Sequence, residues 1–258
     1  MRYFLRLSYN GAPFHGWQSQ PNAVSVQQTI EEALSTVLRA PVSITGAGRT
    51  DTGVNAKVMY AHFDLPSPES LPKIEDKKRF LLSLNRLCGP AIALEDLIPV
   101  NDDAHARFDA NLRTYKYFVA YGKTPFLSAI SWHSPSMLDA EAMNKASSLL
   151  LETSDFTSFA KLHSDARTNI CRVSEAQWTV WQSPFLSIPE LVFTISADRF
   201  LRNMVRAVVG TLVDVGRHKI TIDEFKRIIE KKDRCSAGTS MPPQALFLWD
   251  VRYPYIGS

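Results

Sequence analysis

Cysteine is scarce. The three in the chain, Cys88, Cys171 and Cys235, are an odd number separated by more than sixty residues each. That spacing excludes a disulfide framework and a CxxC metal site, and it fits a reducing cytoplasm. The six histidines, His15, His62, His105, His133, His163 and His218, show no HxxxH spacing, so no metal is expected. No apolar run approaches the roughly 18 residues needed to cross a bilayer. The opening Met1-Arg2-Tyr3-Phe4-Leu5-Arg6 alternates charged and apolar residues and lacks the continuous apolar core of a secretory signal. Charge of one sign is also lacking. Lys plus Arg number 29 against 26 acidic residues, a net +3, which excludes a histone-like polycation and an acidic solvating tail. A small global excess can still hide a basic face, because a polyanion responds to the local field. No low-complexity tract interrupts the chain.

What is present is an ordinary globular composition, 258 residues with 45% hydrophobic and 21% charged, enough for roughly one or two domains. From Arg2 to Tyr9 the chain alternates, with Tyr3, Leu5, Leu7 and Tyr9 on one face, which predicts a half-buried strand. Ser25 followed three residues on by Gln28 reads as a capping box. Val26, Ile30, Leu34, Val37 and Leu38 then recur at helical spacing until Pro41. Strands are expected over Val42–Thr45 and through Val58–Leu65, a proline-marked loop at Pro66, Pro68 and Pro72, and a helix through Phe80–Leu87. Further on, the pattern predicts a strand over Thr114–Tyr121 and a helix over Asp139–Leu151. It also predicts strands over Val173–Val180 and Leu191–Ala197, and helices over 199–215 and 222–232. Tyr3-Phe4 with Pro13-Phe14 is weakly echoed by Tyr117-Phe118 with Pro125-Phe126. The expected architecture is α+β, with two related α+β halves, 1–104 and 105–258, whose mainly antiparallel sheets flank a central basic cleft.

The most informative stretch is Gly46-Ala47-Gly48-Arg49-Thr50-Asp51-Thr52-Gly53-Val54-Asn55-Ala56. A dinucleotide fingerprint needs glycine where Asp51 stands, and a P-loop needs Lys then Ser or Thr where Val54 and Asn55 stand. What remains is a glycine-flanked turn presenting one carboxylate beside one guanidinium. Two readings of Asp51 stay open on the local sequence: a carboxylate bonded to its own turn, and one lifted into a cleft. A helix at 199–215 would gather Arg199, Arg202, Asn203, Arg206 and Gly210 on one face. Lys226, Arg227, Lys231, Lys232 and Arg234 form a second basic cluster, read either as a phosphate-steering patch or as a solvated helix face.

The run Gly48-Arg49-Thr50-Asp51-Thr52-Gly53-Val54 resembles the catalytic motif of the tRNA pseudouridine synthase A family. Three further segments agree in order: Tyr9-Asn10-Gly11 with Phe14-His15-Gly16-Trp17-Gln18; His105-Ala106-Arg107-Phe108 leading to Arg113-Thr114-Tyr115-Lys116-Tyr117; and Phe200-Leu201-Arg202-Asn203-Met204-Val205-Arg206 with Val209-Gly210. Ala237-Gly238-Thr239 with Pro242-Pro243 and a last strand ending at Tyr253-Pro254 is similar to the family's C-terminus.

The resemblance implies isomerisation of uridine to pseudouridine in tRNA, most often at positions 38, 39 and 40 of the anticodon stem-loop. The implied enzyme is a cytoplasmic homodimer without cofactor. By resemblance Asp51 is the nucleophile, Arg206 its cationic partner and Tyr115 the ring that stacks on the flipped uracil. Arg49, Arg202, His105 and Arg107 are the expected substrate contacts. Two departures stand out. Asn55 occupies the place where the family usually has His, and Ala245 a place where glycine is common. They leave open a member with a shifted RNA target. A non-catalytic RNA-binding or RNA-folding protein is the competing class. A two-acid glycosidase is disfavoured because only one acid lies in a motif.

Overall fold

The computed structural model describes residues 1–162, 167–182 and 189–257; His163 lies outside them. In chain order the elements are β1 (Arg2–Tyr9), α1 (Val26–Leu38), β2 (Thr45–Gly46), β3 (Asn55–Asp64), α2 (Leu71–Glu75), α3 (Lys77–Cys88) and β4 (Ile92–Val100). They continue as β5 (Leu112–Tyr121), β6 (Trp132–Ser134), α4 (Ala140–Glu152), β7 (Val173–Trp181), β8 (Glu190–Ala197), α5 (Met204–Gly216), α6 (Ile222–Lys231) and β9 (Leu246–Arg252). The chain is α+β. It divides into two compact units, Met1–Asn111 with Leu248–Ser258, and Leu112–Phe247. The division expected at 104/105 thus falls inside the first unit, to which the C-terminal segment also belongs. Two long-range hydrogen bonds tie that segment in: the Tyr253 hydroxyl donates to Ala106 O at 2.6 Å and Asn111 N donates to Arg252 O at 3.0 Å.

In the first unit the strand order is β4-β1-β3-β9, with β2 on β3. β1 runs antiparallel to β3, Tyr3 opposite Phe63 and Leu5 opposite Ala61, and antiparallel to β4 on its other side. α1 and α3 pack on one another, and α3 on β4. Phe4, Leu5, Leu7, Ile30, Leu34, Phe63 and Phe80 are almost wholly buried here, each burial worth about 1.5–3 kcal/mol. Phe4 breaks the alternation of β1 because both faces of the strand are covered at that point: His62, Tyr253 and Tyr255 surround its ring. β4 was not expected from the sequence. Pro99 within it cannot donate to a ladder, and the strand tolerates it because it lies at the end of the strand order.

α1 begins at Ser25, whose Oγ accepts from Gln28 N at 3.2 Å. The reciprocal half of the expected capping box is absent, since the Gln28 side chain donates to Glu32 Oε1 instead. A complete box caps α6, where Thr221 and Glu224 each accept from the other's backbone N–H. Pro72 sits in the first turn of α2 and not in a loop, a position where its missing donor costs nothing.

In the second unit β5 pairs antiparallel with β8, and β8 with β7, while the short β6 adds parallel to β5. α4 lies on β7, where the Asn144 amide replaces a missing ladder partner. Its Nδ2 donates to Trp178 O at 3.0 Å and its Oδ1 accepts from Trp178 N at 2.8 Å. α5 packs on α4 and α6. Tyr117, Val119, Phe193, Phe156, Phe159 and Phe225 form the core. The expected helix over 199–215 begins only at Met204. Asn203 adopts the left-handed conformation, φ 65°, which an α-helix cannot contain. Arg199 and Arg202 therefore precede the helix, and the shared helical face assigned to them does not exist.

Candidate active site

Strand β2 leads directly into the loop that carries Asp51. Ala47 N donates to Tyr60 O at 2.8 Å, after which Arg49 points to solvent, Thr50 is buried and Asp51 is half-buried. The loop closes as a turn in which Val54 N donates to Asp51 O at 3.1 Å, and Gly53 at φ 77° supplies the left-handed step.

The first seventeen residues hold this turn from the other side. Trp17 N donates to Thr50 O at 3.2 Å, and the Tyr9 hydroxyl meets Thr50 Oγ1 at 2.9 Å. Gly11 N donates to Asn55 Oδ1 at 2.8 Å, with Asn55 only 2% exposed. The approach leaves no room for side chains. A Cβ on Gly16 would stand 2.6 Å from Thr50 O, one on Gly11 2.1 Å from Val54 O, and one on Gly46 2.5 Å from the Trp17 indole. Gly16 O and Trp17 O in turn accept from Val26 N and Gln27 N, so the clamp is anchored on the first turn of α1. One carboxylate is thereby fixed to the sheet on one side and to a helix end on the other.

A second loop of the same unit carries His105 and Arg107. His62, 7% exposed on β3, accepts from Ala106 N through Nδ1 at 3.1 Å. His105 Nδ1 accepts from Arg107 N at 3.1 Å and Phe108 N at 3.3 Å. Both rings serve as acceptors, which requires their neutral forms. Burial, helped by the positive charge of Arg2, pushes His62 down to about 4; burial also lowers His105. Asp109 is held below the usual carboxylate range because its side chain accepts from His105 N and the Tyr255 hydroxyl.

The second unit carries Tyr115, Arg202 and Arg206. Tyr115, half-buried near the start of β5, meets the Phe200 ring edge-on at 5.0 Å. The segment before α5 is fixed by Asp198, whose carboxylate accepts from Arg172 N and Arg199 N and whose carbonyl accepts from the Arg113 guanidinium. Arg202 is exposed, and its carbonyl accepts from Lys161 N. Arg206, half-buried in the first turn of α5, donates through Nε to Met241 O at 2.6 Å while its own carbonyl accepts from Met241 N. The 237–241 segment can lie this close because Gly210 has no side chain: a Cβ there would stand 1.8 Å from Thr239 O. Asn203 Nδ2 and the Arg234 guanidinium both reach Ser240 Oγ, and Arg234 also donates to Gly238 O at 3.2 Å. Lys232 pairs with Asp155 at 3.0 Å. Part of the second basic cluster is therefore structural. Tyr117, next on the same face of β5 as Tyr115, is fully buried and donates to Pro242 O, and burial raises its phenol.

Of the residues singled out from sequence, Arg49 and Asp51 share one loop and His105 and Arg107 another, all in the first unit. Tyr115, Arg202 and Arg206 belong to the second unit. Sequence reasoning gave no individual role to His62, Thr50, Phe108 or Phe200, although the last three lie in the segments quoted for the resemblance. It noted Asn55 only as a departure, because its partner, Gly11, is 44 residues away.

The family model described as tRNA pseudouridine synthase matches residues 146–254. The chain is 53% identical to the tRNA pseudouridine synthase A of Parabacteroides distasonis, over 98% of this chain and 96% of that protein. It is 51% identical to the protein of that name from Bacteroides thetaiotaomicron, over 98% and 91% of the two chains. A more distant relative, from Colwellia psychrerythraea, is 37% identical over 98% and 94%.

Proposed function

Since the chain belongs to the tRNA pseudouridine synthase A family, we propose that it isomerises uridine to pseudouridine in tRNA, at positions 38, 39 and 40 of the anticodon stem-loop, with Asp51 as the nucleophile. The reaction breaks the bond from N1 of uracil to C1′ of ribose, turns the base, and joins C5 to C1′. The C5 proton then leaves and N1 gains one, so nothing is oxidised and no group enters or departs. Such chemistry needs a held base, a nucleophile and a base for one proton, and it calls for no cofactor.

The observation that carries this reading is the presentation of Asp51: one half-buried carboxylate on a turn pinned by Tyr9, Gly11 and Trp17. Asp51 adds either to C6 of the base or to C1′ of the sugar. Arg206, oriented by Met241 O, supplies the cation that keeps a carboxylate ionised in a closed site. Tyr115, its ring braced by Phe200, stacks on the extruded uracil and takes up the C5 proton. Arg49 occupies the gap left by the flipped base, and Arg202, His105 and Arg107 hold the tRNA backbone. The proposal extends to a basic cleft gathering these arginines and to a cytoplasmic homodimer acting on one tRNA.

Asp51→Ala tests the reading. It should abolish pseudouridine formation while tRNA affinity stays within a few-fold; residual turnover would remove Asp51 as nucleophile. Tyr115→Phe should keep base stacking and slow tritium release from C5-labelled uridine, and an unchanged rate would take the phenol out of the mechanism.

A further inference from the structure

In the 105–108 loop Phe108 is 74% exposed. A phenylalanine left in water forgoes the stabilisation that burial gives it elsewhere in the fold. The backbone of the loop is tied at successive residues, which fixes the direction in which Phe108 leaves it. His105 N donates to Asp109 Oδ2 and Ala106 N to His62 Nδ1, while Arg107 N and Phe108 N both donate to His105 Nδ1. The Tyr253 hydroxyl holds Ala106 O, and Tyr255 holds Asp109. The His105 ring backs Phe108 at 4.2 Å with planes 31° apart, and the Arg107 guanidinium stands 5.8 Å from its centroid.

A rigid aromatic with one face backed and most of its surface in water, beside a guanidinium, has the composition of a platform for unpaired nucleobases. We infer that Phe108 stacks on an unpaired base of the tRNA other than the uridine being isomerised, with Arg107 meeting the neighbouring phosphate. The inference rests on the tRNA reading above and adds a binding position to it. The neighbours of the ring suit RNA: Arg107 brings the positive charge a phosphate needs, His105 backs the ring with a second aromatic surface, and the Asp109 carboxylate is taken up by His105 N and the Tyr255 hydroxyl.

The test is steady-state kinetics on a tRNA transcript with Phe108→Leu and Phe108→Tyr, beside tryptophan emission of Phe108→Trp. Loss of one stacked base should raise KM in Phe108→Leu by about 5- to 150-fold, with kcat within about two-fold. Phe108→Tyr, which keeps the ring, should match the wild type. Phe108→Trp should show quenching on tRNA addition beyond that of the wild-type tryptophans. An unchanged KM in Phe108→Leu would overturn the inference, as would an equal loss in Phe108→Tyr. A change in sedimentation of Phe108→Leu without a change in tRNA affinity would assign the ring to a contact between copies, and would also overturn it. Wild-type protein that neither binds tRNA nor forms pseudouridine would fail at the first step, refuting the broader reading before any variant is measured.

Discussion

Acid should loosen this protein through His62 at a higher pH than it does through the neighbouring Asp64 and Asp109. The imidazole is 7% exposed, accepts from Ala106 N at 3.1 Å, and is pushed down to about 4 by burial and by Arg2. The groups facing it are Arg2, Asp64, His105 and Asp109. In the unfolded chain the ring takes a proton near 6.5, so between 6.5 and about 4 the unfolded state binds more protons than the folded one. The stabilisation is therefore complete above pH 6.5 and is lost as pH falls toward about 4. At about 1.4 kcal/mol per pH unit, the loss over that window is on the order of 3 kcal/mol.

His62→Asn places an amide oxygen near the Nδ1 position without a titratable ring. Lost ring packing should make the variant about 1–2 kcal/mol less stable at pH 7. Urea unfolding of both proteins from pH 7.5 to 4.5 should show that gap closing and then reversing. Asp64 and Asp109 are both held below the usual carboxylate value of 3.8, so their contributions are lost at lower pH and do not mimic the effect. His105 acts in the same direction but is present in both proteins. Parallel stability curves for wild type and variant, or an imidazole of His62 titrating near 6.5 by NMR, would refute the reasoning.

Two further outcomes follow from packing and burial. Gly210→Ala brings a Cβ to 1.8 Å from Thr239 O, so the 237–241 segment must move. The helix-propensity gain of about 1 kcal/mol should be outweighed by overpacking, leaving a net loss of roughly 1–2 kcal/mol by chemical denaturation. Because Met241 O orients Arg206, kcat should fall as well, and unchanged kcat and stability would show that the segment yields freely. Of the thiols, Cys235 is exposed while burial raises Cys88 to about 11 and Cys171 to about 12. A thiol-disulfide reagent at pH 8 should modify Cys235 promptly and the other two only on unfolding; fast modification of all three in native buffer would contradict that burial.

Elements whose signals are local were legible in the sequence. β1, α1, α4, α6 and the β7 and β8 strands fall within a residue or two of their periodicity, because an amphipathic face declares itself without knowing its partner. The failure at 199–203 has a definite cause. The arithmetic of 100° per residue assumes a continuous helix, and the left-handed step at Asn203 is supported by Ser240, far along the chain. The Asp51 turn was legible from its glycines, but what those glycines make room for was not: Thr50 O, Val54 O and the Trp17 indole come close only after folding. His62 was one residue of an alternating strand, and nothing local marks it as the acceptor for Ala106.

Asn55 separates the two loops of the first unit by what can unfasten them. Where the family usually has an imidazole, this chain anchors Gly11 to the Asp51 turn with an amide oxygen, a group that binds no proton at any pH a cell meets. The Arg107–Phe108 loop hangs instead on two imidazoles. Acidification consequently has an order written into it. The 105–108 loop loses an imidazole acceptor as pH falls toward about 4, while the carboxylate-bearing turn keeps a fastening that no proton reaches.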